Sequence, residues 1–451
     1  MFDKKNQIRP AFHITGGEGW INDPNGLVVY RGRYHVFFQY HPYSTEWGPM
    51  HWGHVVSSDL MHWQRLPIAL TPGDDGDRDG CFSGSAIVYD GKLYLLYTGY
   101  TKNAGQDTVR QVQCLAESED GVHFTKRGVV ISTDEIPLGY SATDFRDPKV
   151  WRHDGKFWCV IAARKLDGRG RTLIYTSDDL MRWRFVGDML GEDCKGIMTE
   201  CPDYRAAEGL YLSSEQSQPP EGSMHLNYHT TRWAAGKLDY DTGHFDVKNS
   251  GICDYGFDFY APQSFETEPV LLGWMNMWER GMPSAKYGFA GMLTVPRKIE
   301  LKNGELYQTP VVIKKEVKRK TKVKSVKDKI EIGVIEIEAT ALRAFDLKMR
   351  KGKDAYTSFV LSGGEWVFDR SHSGERISGV ETNVDSLEGI RRMPFDGEKK
   401  TTVTIVFDEF SIEIFVNGKS LTSTVFPPKG ADGLELNVDA DACEYARYDI
   451  V

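Results

Sequence analysis

The sequence holds no run of 18 apolar residues, so no segment of it reads as a membrane-spanning helix. Cysteine is scarce. Seven are scattered over 451 residues, at Cys81, Cys114, Cys159, Cys194, Cys201, Cys253 and Cys443, odd in number and without a CxxC pair. That pattern fits reduced thiols in a cytoplasm rather than a disulfide framework. Positive charge is in deficit: a formal net charge of −9 excludes the basic footprint that nucleic-acid binding needs. Behind the charges of Met1-Phe2-Asp3-Lys4-Lys5-Asn6-Gln7 there is no apolar stretch, which predicts no secretory leader and a cytoplasmic setting.

What the chain does have is length and aromatic residues. Single cores stop growing at about 250–300 residues, so two domains are expected. The 11 Trp, 21 Tyr and 22 Phe suit β-strands, and they also suit a cleft in which flat rings stack on sugar faces.

The chain also repeats itself. Ser57-Ser58-Asp59-Leu60-Met61-His62-Trp63 returns as Ser118-Glu119-Asp120-Gly121-Val122-His123-Phe124 and as Ser177-Asp178-Asp179-Leu180-Met181-Arg182-Trp183, at spacings of 61 and 59 residues. On the same beat, a glycine turn feeds an alternating apolar strand at Gly32, Gly91, Gly155 and Gly209, with a weaker fifth copy at Glu268-Pro269-Val270. The copies alternate with period two and favour β-branched and aromatic residues, so they read as hairpins and not as helical repeats. Five copies predict an all-β fold, a five-bladed β-propeller over residues 1–310. Beyond it, Lys314 to Lys320 reads as a solvated, charged link. Alternating stretches such as Lys329–Ile337 and Ser411–Lys419, the latter with an Asn417-Gly418 turn, predict a β-sandwich over residues 311–451.

The chemistry falls just upstream of the glycine turns. Asp23 lies nine residues before Gly32, Ser83 eight before Gly91, Asp147 eight before Gly155 and Glu200 nine before Gly209. The innermost strands of propeller blades line the central channel, so near-equivalent positions on them converge. Three carboxylates brought together there would repel each other unless they had work to do. Hydrolysis of a glycosidic bond needs such a set: a nucleophile or base and an acid flanking an oxocarbenium-like transition state. Burial and neighbouring negative charge are expected to keep the acid protonated.

These residues lie in Trp20-Ile21-Asn22-Asp23-Pro24-Asn25-Gly26, Phe82-Ser83-Gly84-Ser85, Phe145-Arg146-Asp147-Pro148, Glu200-Cys201-Pro202-Asp203 and Phe259-Tyr260-Ala261-Pro262-Gln263. With them the chain resembles glycoside hydrolase family 32, which includes invertases, sucrose-6-phosphate hydrolases, inulinases and levanases. The resemblance implies a propeller followed by a sandwich. It implies a retaining β-fructofuranosidase with Asp23 as nucleophile, Glu200 as acid and then base, and Asp147 gripping fructose hydroxyls, kept ionised by Arg146. It further implies sugar contacts from Asn22, Gln39, Trp47, Phe82, Ser83, Arg146, Tyr260 and Trp278. No cofactor and no metal is expected, and the partner is a small sugar bound by a monomer or homodimer.

Sucrose 6-phosphate is a rival substrate, for which Lys165, Arg169, Arg171, Lys195 and Arg280 are available cations. Fructosyl transfer and a catalytically silent sugar-binding propeller are the other readings. His51-Trp52-Gly53-His54 reads as structural, since strand residues three apart face opposite ways. Asp74 to Gly80 lacks EF-hand spacing and reads as a solvated rim loop. Cys201 reads as a small buried filler.

Overall fold

The computed structural model describes residues 8–103, 108–194, 196–219, 222–379 and 389–451. These residues form seven sheets. Five follow one another along the chain as propeller blades, whose inner strands are Gly19–Tyr30, Gly80–Tyr89, Tyr140–His153, Met198–Arg205 and Tyr260–Ser264. Each inner strand is hydrogen-bonded in antiparallel register to the next strand, and in the first three blades the hairpin closes where the glycines predict. Arg31-Gly32, Asp90-Gly91 and Asp154-Gly155 all take positive φ at both positions, the geometry of a type I′ turn.

The repeated Ser-x-Asp phrase caps the outer edge. Ser57 Oγ accepts from the backbone N–H of Asp59 and Leu60, while Asp59 Oδ1 accepts from those of Met61 and His62. Ser177 and Asp179 repeat the arrangement, and Asp120 holds Val122 and His123 in the same way.

Apolar clusters fill the seams between neighbouring blades. Phe37, Trp52 and Tyr97 fill the seam of blades one and two; Phe145, Phe157 and Leu115 fill that of two and three; Trp151, Tyr204 and Phe245 fill that of three and four. Trp233 and Phe259 join four to five, and Ile21, Phe38 and Leu272 join five back to one. The ring is latched by a short excursion from blade five. Phe289–Ala290 pairs in parallel with Gly19 and Trp20, and Met292–Leu293 pairs with Trp274 and Met275. Gly291, between them, has a φ of +81°, and a Cβ there would stand 2.2 Å from the Ile21 carbonyl oxygen.

The last propeller strand ends at Pro310, and the first strand of the remaining two six-stranded sheets starts at Lys314. Their faces enclose Ile335, Leu347, Trp366, Phe368, Ile405 and Leu436. Two expectations fail here. The charged run is not a link: Lys314–Thr321 is an edge strand paired with Ala442–Ile450, and its lysines suit an edge that must not recruit another chain. Nor is Lys329–Ile337 one strand. Ser325–Lys329 ends in one sheet and Gly333–Thr340 begins in the other. The Asn417-Gly418 turn forms as expected, between Val416 and Lys419.

Candidate active site

Every inner strand carries a register shift near the channel. In blades three, four and five the two bulged residues are Asp147-Pro148, Cys201-Pro202 and Ala261-Pro262, and the first of each pair has positive φ (64°, 46° and 48°). The inner strand is an edge, so proline costs no ladder hydrogen bond, and a bulge re-aims the side chains beside it. Positive φ in non-glycine residues is strained, of order 1–3 kcal/mol each, and persists where surrounding contacts impose it. In blade one the bulge holds Asn22 and Asp23, and in blade two it holds Ser83.

The register corrects the count from the glycine turns by one residue. Cys201, not Glu200, takes the place of Asp147, while Glu200 takes that of Arg146 and of Tyr260. Those three equivalent residues touch. Arg146 Nη2 donates to Glu200 Oε1 at 2.9 Å, and Tyr260 Oη donates to Glu200 Oε2 at 2.6 Å. The two aspartates are held separately. Ser83 Oγ donates to Asp23 Oδ2 at 2.6 Å, and the Cys201 backbone N–H donates to Asp147 Oδ2 at 2.9 Å. The Cys201 thiol stands 3.4 Å from Asp23 and 3.6 Å from Asp147, so it bridges the pair and is no inert filler.

Three buried carboxylates against one guanidinium cannot all ionise freely. Burial pushes Asp23 up from the usual carboxylate value, against hydrogen bonds from Ser83 and Asn22. Burial pushes Asp147 up to about 7 against Arg146, with repulsion from Asp23 adding to it. Glu200 is buried too, but Arg146 and Tyr260 outweigh burial and hold it below its ordinary value. These shifts run opposite to the expectation that Arg146 keeps Asp147 ionised and that burial keeps Glu200 protonated. Arg146 ionises Glu200, from which it is 2.9 Å away, more than Asp147, at 3.9 Å. The set retains a proton near neutral pH on the aspartate side, as a coupled group.

A cavity of about 310 Å³ opens above these groups. Asn22, Asp23, Gln39, Trp47, Phe82, Ser83, Arg146, Asp147, Glu200 and Trp278 all line it. Trp278 is stacked at 5.9 Å on Trp20, and Trp47 is half exposed at the rim. Tyr260 is the exception: it is fully buried and lies behind Glu200, off the cavity wall. Met50, Tyr100, Gln111, Thr143 and Asp144 also line the cavity and went unnoticed in the sequence. Tyr100 had no local signal, because it reaches the wall by stacking at 4.3 Å on Phe82 from the neighbouring strand.

Of the cations considered for a phosphate, those among the described residues are not on this wall. Arg171 is buried against Asp188 and Glu192, and Arg169 pairs with Asp167 and Glu192. Arg280 is buried over the Phe257 ring, Lys165 does not line the cavity, and Lys195 lies outside the described residues. The Asp74–Gly80 loop is not simply solvated. Asp77 is buried, accepts from Tyr97 Oη at 2.7 Å and pairs with Lys126 at 2.6 Å. His54 Nε2 meets His35 Nδ1 at 3.0 Å, with His54 stacked on Phe37, a packed arrangement in keeping with a structural role.

A family model described as the N-terminal domain of glycosyl hydrolases family 32 matches residues 13–310, and one described as the C-terminal part of that family matches residues 301–450. A sucrose-6-phosphate hydrolase of Escherichia coli is 36% identical, over 94% of this chain and 90% of its own. A raffinose invertase of Escherichia coli is also 36% identical, over 96% and 92%. Among solved structures, the sucrose-6-phosphate hydrolase from Lactobacillus gasseri superposes with a TM-score of 0.88 at 26% identity, over 99% of this chain and 94% of that one. A Bombyx mori GH32 beta-fructofuranosidase gives 0.81 at 30% identity, over 98% and 94%. Three carboxylates on propeller inner strands, a sandwich behind them and two family models that together span nearly the whole chain agree: this glycoside hydrolase belongs to glycosyl hydrolase family 32.

Proposed function

We propose that the chain is a retaining β-fructofuranosidase that hydrolyses the terminal β-D-fructofuranosyl bond of sucrose or a short fructooligosaccharide. One observation carries the reading: Asp23, Asp147 and Glu200 face one cavity, yet each is held by different partners. Equal carboxylates given unequal settings suit unequal tasks. Asp23 attacks the anomeric carbon of the fructosyl unit as Glu200 gives its proton to the glycosidic oxygen. A covalent fructosyl-enzyme forms and the aglycone leaves with that proton. Glu200, now a carboxylate, takes a proton from water, and the water displaces Asp23 with net retention.

The free-site proton distribution makes substrate part of this scheme. Sugar hydroxyls that donate to Asp147 favour its ionised form, and an aglycone lying over Glu200 shields that carboxylate from water. Both effects move the shared proton from Asp147 toward Glu200, where the first step uses it. In this reading residues 1–310 form the catalytic unit and residues 311–451 the sandwich behind it. The seven cysteines are all unpaired, which supports a reducing, cytoplasmic setting.

Asp23→Asn tests the nucleophile. It keeps size and hydrogen bonding, so the melting temperature should hold while kcat/KM on sucrose falls about 10³-fold or more. Undiminished hydrolysis would sink the mechanism. The anomeric form of fructose first released, read by NMR, tests retention. A second reading, hydrolysis of sucrose 6-phosphate, is favoured by the relatives that carry that name. Comparing kcat/KM on the two sugars separates them; a 100-fold preference corresponds to about 2.7 kcal/mol.

A further inference from the structure

We infer that Gln111 is a specificity-determining residue that donates a hydrogen bond to the sugar leaving with the glycosidic oxygen, an assignment that rests on the fructosidase reading of the site. Gln111 lines the cavity and is only 4% exposed. It comes from the third strand of blade two, Val109–Ser118. Its Oε1 is committed: it accepts from the backbone N–H of Phe145 at 3.0 Å and from Arg146 Nη1 at 3.4 Å. A backbone N–H can only donate, so this contact fixes which end of the amide is the oxygen. The other end, Nε2, carries two N–H donors. Among the described residues nothing accepts from them, and Nε2 is not one of the polar atoms sealed inside the protein.

The strand register sets Gln111 on the mouth side of the reacting groups. Phe82 pairs with Thr98, and Thr98 with Gln113. Thr98 Oγ1 accepts from the Asp147 backbone N–H at 2.8 Å, so this row stands level with the buried carboxylates. Two residues along lies the row of Gly80, Tyr100 and Gln111, with Gly80 at the start of the inner strand. Tyr100 stacks on Phe82, whose other neighbour at 6.0 Å is the half-exposed rim residue Trp47. A terminal fructosyl unit attacked by Asp23 fills the inner end of the cavity, so the rest of the substrate extends toward the rim, past this row. The wall there is rich in acceptors: Asp23, Asp144, Asp147 and Glu200 all line it, and the guanidinium of Arg146 is held by Glu200. Sugar hydroxyls both donate and accept. A fixed NH2 serves the sugar oxygens that carboxylates cannot, and a site built around such a bond loses affinity for a leaving group that lacks the partner.

The test measures kcat/KM for sucrose and for methyl β-D-fructofuranoside on the wild-type chain and on Gln111→Met, which keeps the length of the side chain and loses the amide. Both leaving groups are alcohols that need a proton from Glu200, but methanol offers no further hydroxyl. The variant should lose about three- to tenfold on sucrose, the range for one neutral hydrogen bond, and keep its rate on the methyl fructoside. Equal losses on the two would mean that Gln111 acts only through Phe145 and Arg146, and would overturn the assignment. So would a variant undiminished on sucrose. In both cases hydrolysis by the wild type still upholds the fructosidase reading; a wild type inactive on both fructosides overturns that reading, and the assignment with it. A series of sucroses each lacking one glucosyl hydroxyl tests the same bond on the wild type, without dependence on how the variant folds. At least one of them should lose as much as the substitution costs, and on that sugar Gln111→Met should cost nothing more. A series in which none loses overturns the assignment.

Discussion

Glu200 shows how much a single carboxylate depends on its two neighbours. Its oxygens are taken one each by Arg146 and Tyr260, so in the free site it is poised as a base although the first step asks it to be an acid. Tyr260→Phe removes one hydrogen bond to the charged form and leaves the ring, which is packed edge-on against His229. Losing a bond that favours the carboxylate raises the Glu200 pKa. Because the acid works protonated, the alkaline limb of the kcat/KM profile should move to higher pH in the variant. A limb that stays where it is would mean that Tyr260 does not hold the charge on Glu200. The sequence could name Tyr260 but could not locate it. A buried tyrosine and a sugar-facing one look alike in a strand, and only the bulge decides that this one stands behind Glu200.

At the scale of elements, the parts of the fold with a local cause were readable before the structure. Glycine turns with positive φ, apolar alternation and the 60-residue beat each follow from neighbouring residues, and each recurs in the blades. The bulges were not read, although the X-Pro pairs at Asp147, Cys201 and Ala261 mark them, because a bulge is defined against its partner strand. That omission put Glu200 one position out of register. The latch was also invisible. Phe289–Ala290 and Met292–Leu293 are too short to carry a pattern, and the partner of the first lies far away in sequence, in blade one. Gly291 is the residue on which the latch turns. Its positive φ is costly for alanine, and the added Cβ would press on the Ile21 carbonyl and the Trp274 ring nitrogen, 2.2 and 2.9 Å away. Gly291→Ala should therefore cost about 2–4 kcal/mol and lower the melting temperature, as thermal unfolding will show. An unchanged melting temperature would mean that the ring closes without this turn.

Over the whole molecule, propeller and sandwich meet through buried charge. Arg297, from blade five, donates to Asp254 at 3.0 Å and to Glu413 at 2.7 Å. His13, from the segment ahead of blade one, lies between Asp408 at 2.7 Å and Glu413 at 2.9 Å. All five side chains are buried, so none can lose its partner without leaving an uncompensated charge, at a cost of about 3–5 kcal/mol. Burial alone would strip the proton from His13, but the two carboxylates prevail and raise its pKa from 6.5 to about 9. A raised pKa stabilises the fold in full below the unfolded value of 6.5, by about 3 kcal/mol, and that contribution fades as pH rises through about 9. Asp408 and Glu413 run the other way. Their pKa values are held down, so their contribution is present above the ordinary carboxylate range and disappears as acid protonates them. The stability that these three groups contribute should accordingly form a plateau from about pH 5 to 6.5 and decline toward pH 9. His13→Gln should lower that plateau and flatten the decline, since glutamine has no proton to lose. Melting temperatures measured across this range for both proteins decide the matter: an alkaline slope that survives the substitution would place the titrating group elsewhere and reduce His13 to a packed polar residue.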